Sequence, residues 1–198
     1  MHTDNTHLTK ELGAIVAACT ATVVQLKELP ESQLQRPPSP GAWSVLECIE
    51  HLNRYGDYYL PEIEKSIMSQ PRIGPDADFR SGWLGNYFAN LMRVNEQKLK
   101  KMKSPADKNP AGAALNALVL DRFLKQQERL VQLLSDARNV NLIKAKVPIS
   151  IAPWIRLRLG DTLRFFVYHI DRHVQQARRA ADAARLHAQT ASDVTHHQ

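Results

Sequence analysis

The sequence predicts an all-α protein built as a four-helix bundle. Four long segments place apolar residues at three- and four-residue steps, the period of one helix face. No segment alternates apolar and polar residues convincingly over the length of a strand. The prolines and glycines cluster mainly between the periodic segments, where they mark turns and loops. Amphipathic helices of this kind bury their apolar stripes by packing on one another.

The first helix is expected over 6–28, because Leu8, Leu12, Ile15, Val16, Cys19, Val23 and Leu26 form one stripe. Pro30, Pro37, Pro38, Pro40 and Gly41 then make a loop. Ser44 followed three residues later by Glu47 is a capping-box signature, so a second helix starts there and runs to about 69. It carries Leu46, Ile49, Leu52, Tyr55, Tyr59, Ile63 and Ile67 inward, with Pro61 as a point of kinking. Residues 71–116 form an irregular insertion, with a short helix possible between Phe79 and Met92.

A third helix is expected over 116–138, with Leu120, Phe123, Leu124, Leu130, Val131 and Leu134 facing the core. Residues 139–160 read as an extended connection, since Pro148 and Pro153 each lack a donor and restrict the residue before them. The fourth helix is expected over 161–184 with Asp161 as its N-cap. The 198 residues thus divide into one domain over 1–185 and a polar tail over 186–198, expected to be disordered. His187, His196 and His197 lie in that tail and are given no site.

The net charge of +6 favours contact with anions, but much of it is local. Lys98, Lys100, Lys101, Lys103 and Lys108 crowd around Ser104 and Pro105 with no interleaved aromatic to stack a base. That run reads as a solvated helix end and loop, and a nucleic-acid partner ranks last. Cys19 and Cys48 form no CxxC pair and fall on apolar stripes, as buried free thiols in a reducing cytoplasm would. Residues 12–18 are apolar, but Asp4 and Glu11 before them argue against an export signal. No apolar stretch reaches the roughly 18 residues of a membrane span.

The chemistry concentrates in His169 and His173, four apart and therefore on one helix face. Two imidazoles so placed can grip one metal ion, with nitrogens about 2.0–2.1 Å from it. They lie on or beside the inward stripe of Leu163, Phe166, Ile170 and Ala177, and His51 flanks the inward stripe of the second helix. Eight histidines in 198 residues produce an HxxxH pair by chance roughly one time in four, so the pair alone does not decide. Three inward-facing histidines weigh more, since buried polar groups need partners or a metal. Glu47, one turn before His51, has two readings, as an acceptor that orients the imidazole or simply as the capping residue. Arg172 turns away from the histidine face, and Trp43, Trp83 and Trp154 read as core or loop packing.

Two blocks resemble a known family. Trp43-Ser44-Val45-Leu46-Glu47-Cys48-Ile49-Glu50-His51-Leu52 is similar to the opening of the second helix in DinB/YfiT-like proteins. Leu159-Gly160-Asp161-Thr162-Leu163, with Tyr168-His169-Ile170-Asp171-Arg172-His173-Val174-Gln175-Gln176, resembles their closing helix. The likeness spans residues 8–184, while the segment around Phe79–Asn90 departs from the family's simplest members. The resemblance implies an up-down-down-up bundle, often a homodimer, with a divalent metal on His51, His169 and His173. It also implies chemistry on a small-molecule substrate, with a low-molecular-weight thiol or water activated for transfer or hydrolysis. Zinc, nickel and iron all suit three neutral imidazoles. The competing reading is a non-catalytic stress-response or ligand-binding bundle.

Overall fold

The computed structural model describes residues 1–94 and 104–195. Strand β1, His2–Asp4, leads into helix α1, Asn5–Lys27. The Asp4 carboxylate accepts from the His7 amide at 2.7 Å, satisfying one of the orphan donors at the helix start. A short α2, Glu31–Leu34, sits in the loop before α3, Val45–Met68. Ser44 and Glu47 form the anticipated capping box, and Pro61 is accommodated inside α3 without ending it.

After α3 come β2 (Asp78–Arg80), α4 (Trp83–Met92) and a 3₁₀ turn (Ala106–Lys108). Then follow α5 (Leu118–Ala137), β3 (Lys146–Ile149), β4 (Ala152–Arg158) and α6 (Leu159–Thr195). The class is thus predominantly helical, with the four long helices where periodicity put them. Helix α1 packs against α5 and α6, and α3 packs against the same two.

One apolar cluster unites these helices. Leu8, Leu12, Val16 and Val23 of α1 are fully buried, as are Ile49 and Ile63 of α3, Phe123 and Leu130 of α5, and Leu163 and Val167 of α6. Each such aliphatic or aromatic side chain contributes roughly 1.5–3 kcal/mol on burial. On α5 the stripe is rotated from the expected one: Val131 is half exposed and Leu133 is buried in its place.

Two small antiparallel ladders correct the expectation of no strands. β1 pairs with β2, setting His2 opposite Arg80, and β3 pairs with β4, setting Val147 opposite Leu157 with an irregularity at Pro148/Ile149. The segment read as an extended connection is thus a hairpin. Its Ile149, Ala152 and Leu157 pack with Leu84 and Phe88 of α4 as a second, smaller apolar cluster.

Helix α6 begins two residues before Asp161 and continues to Thr195, beyond the expected end at 184 and through much of the segment expected to be a disordered tail. Asp161 serves a different helix from the one expected. Its carboxylate accepts from the Gly82 amide at 2.8 Å, at the N-terminus of α4, and from the Ser81 hydroxyl. Arg164 lies 3.5 Å from the same carboxylate, both side chains almost wholly buried, and donates to Ser81 and Asn86. This knot fastens β2 and α4 to α6. Trp83 and Trp154, expected to pack, are 85% and 82% exposed. Of the basic run, only Lys108 falls within the described residues, as Lys98, Lys100, Lys101 and Lys103 lie outside them with His196 and His197. No helix among the described residues is long and apolar enough to cross a membrane.

Candidate metal centre

His51 projects from the second turn of α3, and His169 and His173 project from successive turns of α6. Because α3 packs against α6, the three rings meet inside the molecule. Their centroids are 4.5 Å (His51–His173), 4.6 Å (His169–His173) and 5.1 Å (His51–His169) apart. One nitrogen from each lies within 4.8 Å of those of the other two. The residues singled out in the sequence therefore converge.

Nε2 of His51 lies 3.3 Å from Nε2 of His169. Two nitrogens each about 2.0–2.1 Å from one tetrahedral ion stand about 3.4 Å apart, so this spacing fits two ligands of one metal. The outer nitrogens decide which lone pairs are free. His51 Nδ1 is 2.7 Å from the Lys108 carbonyl oxygen, an acceptor only, so Nδ1–H donates and Nε2 keeps its lone pair. His173 Nδ1–H donates to Gln176 Oε1 at 2.9 Å, again leaving Nε2 free. His169 Nδ1 is buried without a hydrogen-bond partner among the described residues.

Burial sets the protonation state. Desolvation pushes His51 down to about 4 against the hydrogen bond to the Lys108 carbonyl, which raises it, and the Arg54 and Lys108 charges lower it a little further. His173 is pushed down to about 3 by desolvation and then by His51. His169 is held well below the usual imidazole value by desolvation, then by its two histidine neighbours. All three are neutral at pH 7, the state a metal ligand requires.

An aromatic wall lines the group on the sides of Trp43, Tyr55 and Phe165. Trp43 lies 4.8 Å from His51 and 5.8 Å from His173, centroid to centroid. Tyr55 lies 4.9 Å from His51 and 4.4 Å from His169, while Phe165 stacks on His169 at 5.9 Å. Trp43 thus walls the site, a more specific place than the packing role expected of it. Glu47 keeps to its capping box, and the Lys108 carbonyl holds His51 instead. Side-chain patterns cannot reveal a backbone carbonyl, so the sequence offered no signal for that contact. Gln176 stands three residues after His173, a helical spacing that does announce its contact.

Cys19 and Cys48 are buried free thiols. Burial pushes Cys19 up to about 12 and Cys48 higher still, so neither offers a thiolate near neutral pH.

No curated protein and no solved structure shows a significant match to the chain. Residues 15–177, which carry all three histidines, match the family model of the DinB superfamily. With that match over most of its length, the chain belongs to the DinB superfamily.

Proposed function

We propose that this protein is a divalent-metal-dependent enzyme in which His51, His169 and His173 hold one ion and leave a side open for a small molecule. The observation that carries the reading is the 3.3 Å separation of the His51 and His169 ring nitrogens, with a third imidazole beside them. Zinc, nickel and iron all suit this donor set. A divalent ion bound there supplies a Lewis-acid centre that lowers the pKa of a water or thiol joining it.

The chain's own residues orient and exclude. The Lys108 carbonyl and the Gln176 amide oxygen fix the tautomers of His51 and His173, leaving both Nε2 lone pairs free for an ion. Trp43, Tyr55 and Phe165 shield that point from bulk water, which strengthens charge interactions inside it. Burial keeps Tyr55 protonated by raising its phenol to about 12, so it is available only as a neutral group. The reaction this arrangement suits is transfer of a low-molecular-weight thiol to an electrophile, or hydrolysis, in the cytoplasm. The pairwise packing of α1 and α3 on α5 and α6 is compatible with an up-down-down-up four-helix bundle over residues 1–185.

The test uses metal-depleted protein reloaded with zinc, nickel or iron. Each form is assayed for thiol transfer to a haloarene and for hydrolysis of an activated ester. Turnover that needs both metal and intact His169 supports the enzyme. Metal uptake without turnover of either kind favours the non-catalytic ligand-binding bundle.

A further inference from the structure

The 3₁₀ turn at Ala106–Lys108 holds His51 through a carbonyl and also brings a lysine to the same aromatic wall. The Lys108 carbonyl is fixed on His51, and the next carbonyl along, that of Asn109, accepts from Arg54 at 2.8 Å. Two successive backbone groups are therefore pinned to α3. The Lys108 side chain is only 14% exposed, a low value for a lysine at a surface loop. Its Nζ lies 5.8 Å from the centroid of Tyr55 and 5.9 Å from that of Tyr58. Tyr55 is thus a shared wall, its ring packed on His51 and His169 and also lying under the ammonium.

Among the described residues the ammonium has one carboxylate partner. Asp107 Oδ2 lies 3.3 Å away, and its side chain is 68% exposed, so solvent can take that carboxylate over at little cost. What remains is a cation held against two tyrosine rings, one of which also packs on His51 and His169. A charge so placed is weakly hydrated and attracts an anion more strongly than a free surface lysine does.

We propose that Lys108 is a specificity-determining residue that receives an anionic group, a carboxylate in the first instance, on a ligand whose other end sits at the three histidines. The ligand lies along Tyr55. This inference rests on the metal-centre reading and adds the substrate class to it.

The test uses the full chain loaded with Co(II), whose absorption reports thiolate ligation directly. Wild-type protein, Lys108→Met and Lys108→Arg are titrated with 2-mercaptoethanol, which is neutral, and with 3-mercaptopropionate, which carries a carboxylate. Metal content and helicity are measured alongside. Wild type should bind the carboxylate thiol about tenfold more tightly, the gain expected of one charge-assisted hydrogen bond. Lys108→Met should bring the two thiols to equal affinity in the metal-loaded protein, and Lys108→Arg should retain much of the preference. Equal affinity for the two thiols in wild type, or a preference that survives in Lys108→Met, overturns the assignment of Lys108 and leaves the metal centre standing. Failure of the wild-type chain to take up Co(II) overturns the metal centre and this inference with it.

Discussion

His51 Nε2 stands 3.3 Å from His169 Nε2 across the packed faces of α3 and α6, and the Lys108 carbonyl leaves the His51 nitrogen with a bare lone pair. A lone pair aimed at a second imidazole nitrogen in a buried site calls for a proton or a cation between them. The family match and the third histidine make a metal the better answer.

Replacing His169 by Ala should lower metal affinity by more than about a hundredfold, since it removes a proposed ligand rather than an outer contact. Far-ultraviolet circular dichroism should be almost unchanged, because Leu163, Phe166 and Ile170 still pin α6 to the core. Metal affinity unaltered in a folded His169→Ala protein would count against the site.

Gln176→Ala removes the acceptor that orients His173 without touching a proposed ligand. Metal affinity should fall about 10- to 100-fold. Competition against a chelator of known strength measures it, and an unchanged affinity would mean that His173 is held in place by packing alone.

The metal-free protein should lose stability on acidification. Each of the three histidines titrates below about 6.5 when folded and near 6.5 when unfolded. Below pH 6.5 the unfolded chain therefore binds more protons, and stability rises with pH. The contribution is complete above about pH 6.5 and is lost as pH falls toward the values of about 4 for His51 and about 3 for His173. Each group can add a slope of up to about 1.4 kcal/mol per pH unit in that window. Urea unfolding at pH 7 and pH 5 reads the difference, which should shrink in His169→Ala. A profile identical in the two proteins would show that the His169 imidazole is not held neutral.

How much was legible in advance follows from the range of each interaction. The stripes Leu8 to Leu26 and Leu46 to Ile67 repeat within a few residues, so α1 and α3 could be read directly. The His169/His173 pair could be read for the same reason, whereas His51 joined it through its place beside the α3 stripe and the family resemblance. The β1–β2 ladder is three residues long and pairs His2 with Arg80, too short and too distant in sequence to leave a period. The β3–β4 hairpin carries Pro148 and Pro153, which hid it. Helix α6 runs past 184 because Leu186, Ala188, Gln189 and Ala191 are good helix formers, a propensity that a polar composition conceals. Exposure of Trp83 and Trp154 depends on which neighbours arrive, and residue type does not record that.

Asp161 should matter more for stability than its expected capping role implied. Asp161→Ala leaves Arg164 buried without its carboxylate and removes the acceptor at the Gly82 amide. A loss of about 3–5 kcal/mol is expected, the usual cost of breaking a buried pair from one side. Urea denaturation gives the value, and a loss below about 1 kcal/mol would mean that solvent reaches Arg164.

The resemblance that pointed to the histidines also implies a homodimer, which light scattering across the micromolar range can test. A dimer is the expected result, and a monomer at every concentration would contradict it.

The most direct test of the metal centre is elemental analysis of protein purified without an affinity tag or immobilised-metal column, alongside His169→Ala prepared identically. About one equivalent of zinc, nickel or iron per chain in wild type, and little in the variant, is the predicted result. Wild-type protein that takes up none of these metals, even from buffered solutions of each, or a variant that binds as much as wild type, would contradict the three-histidine metal centre.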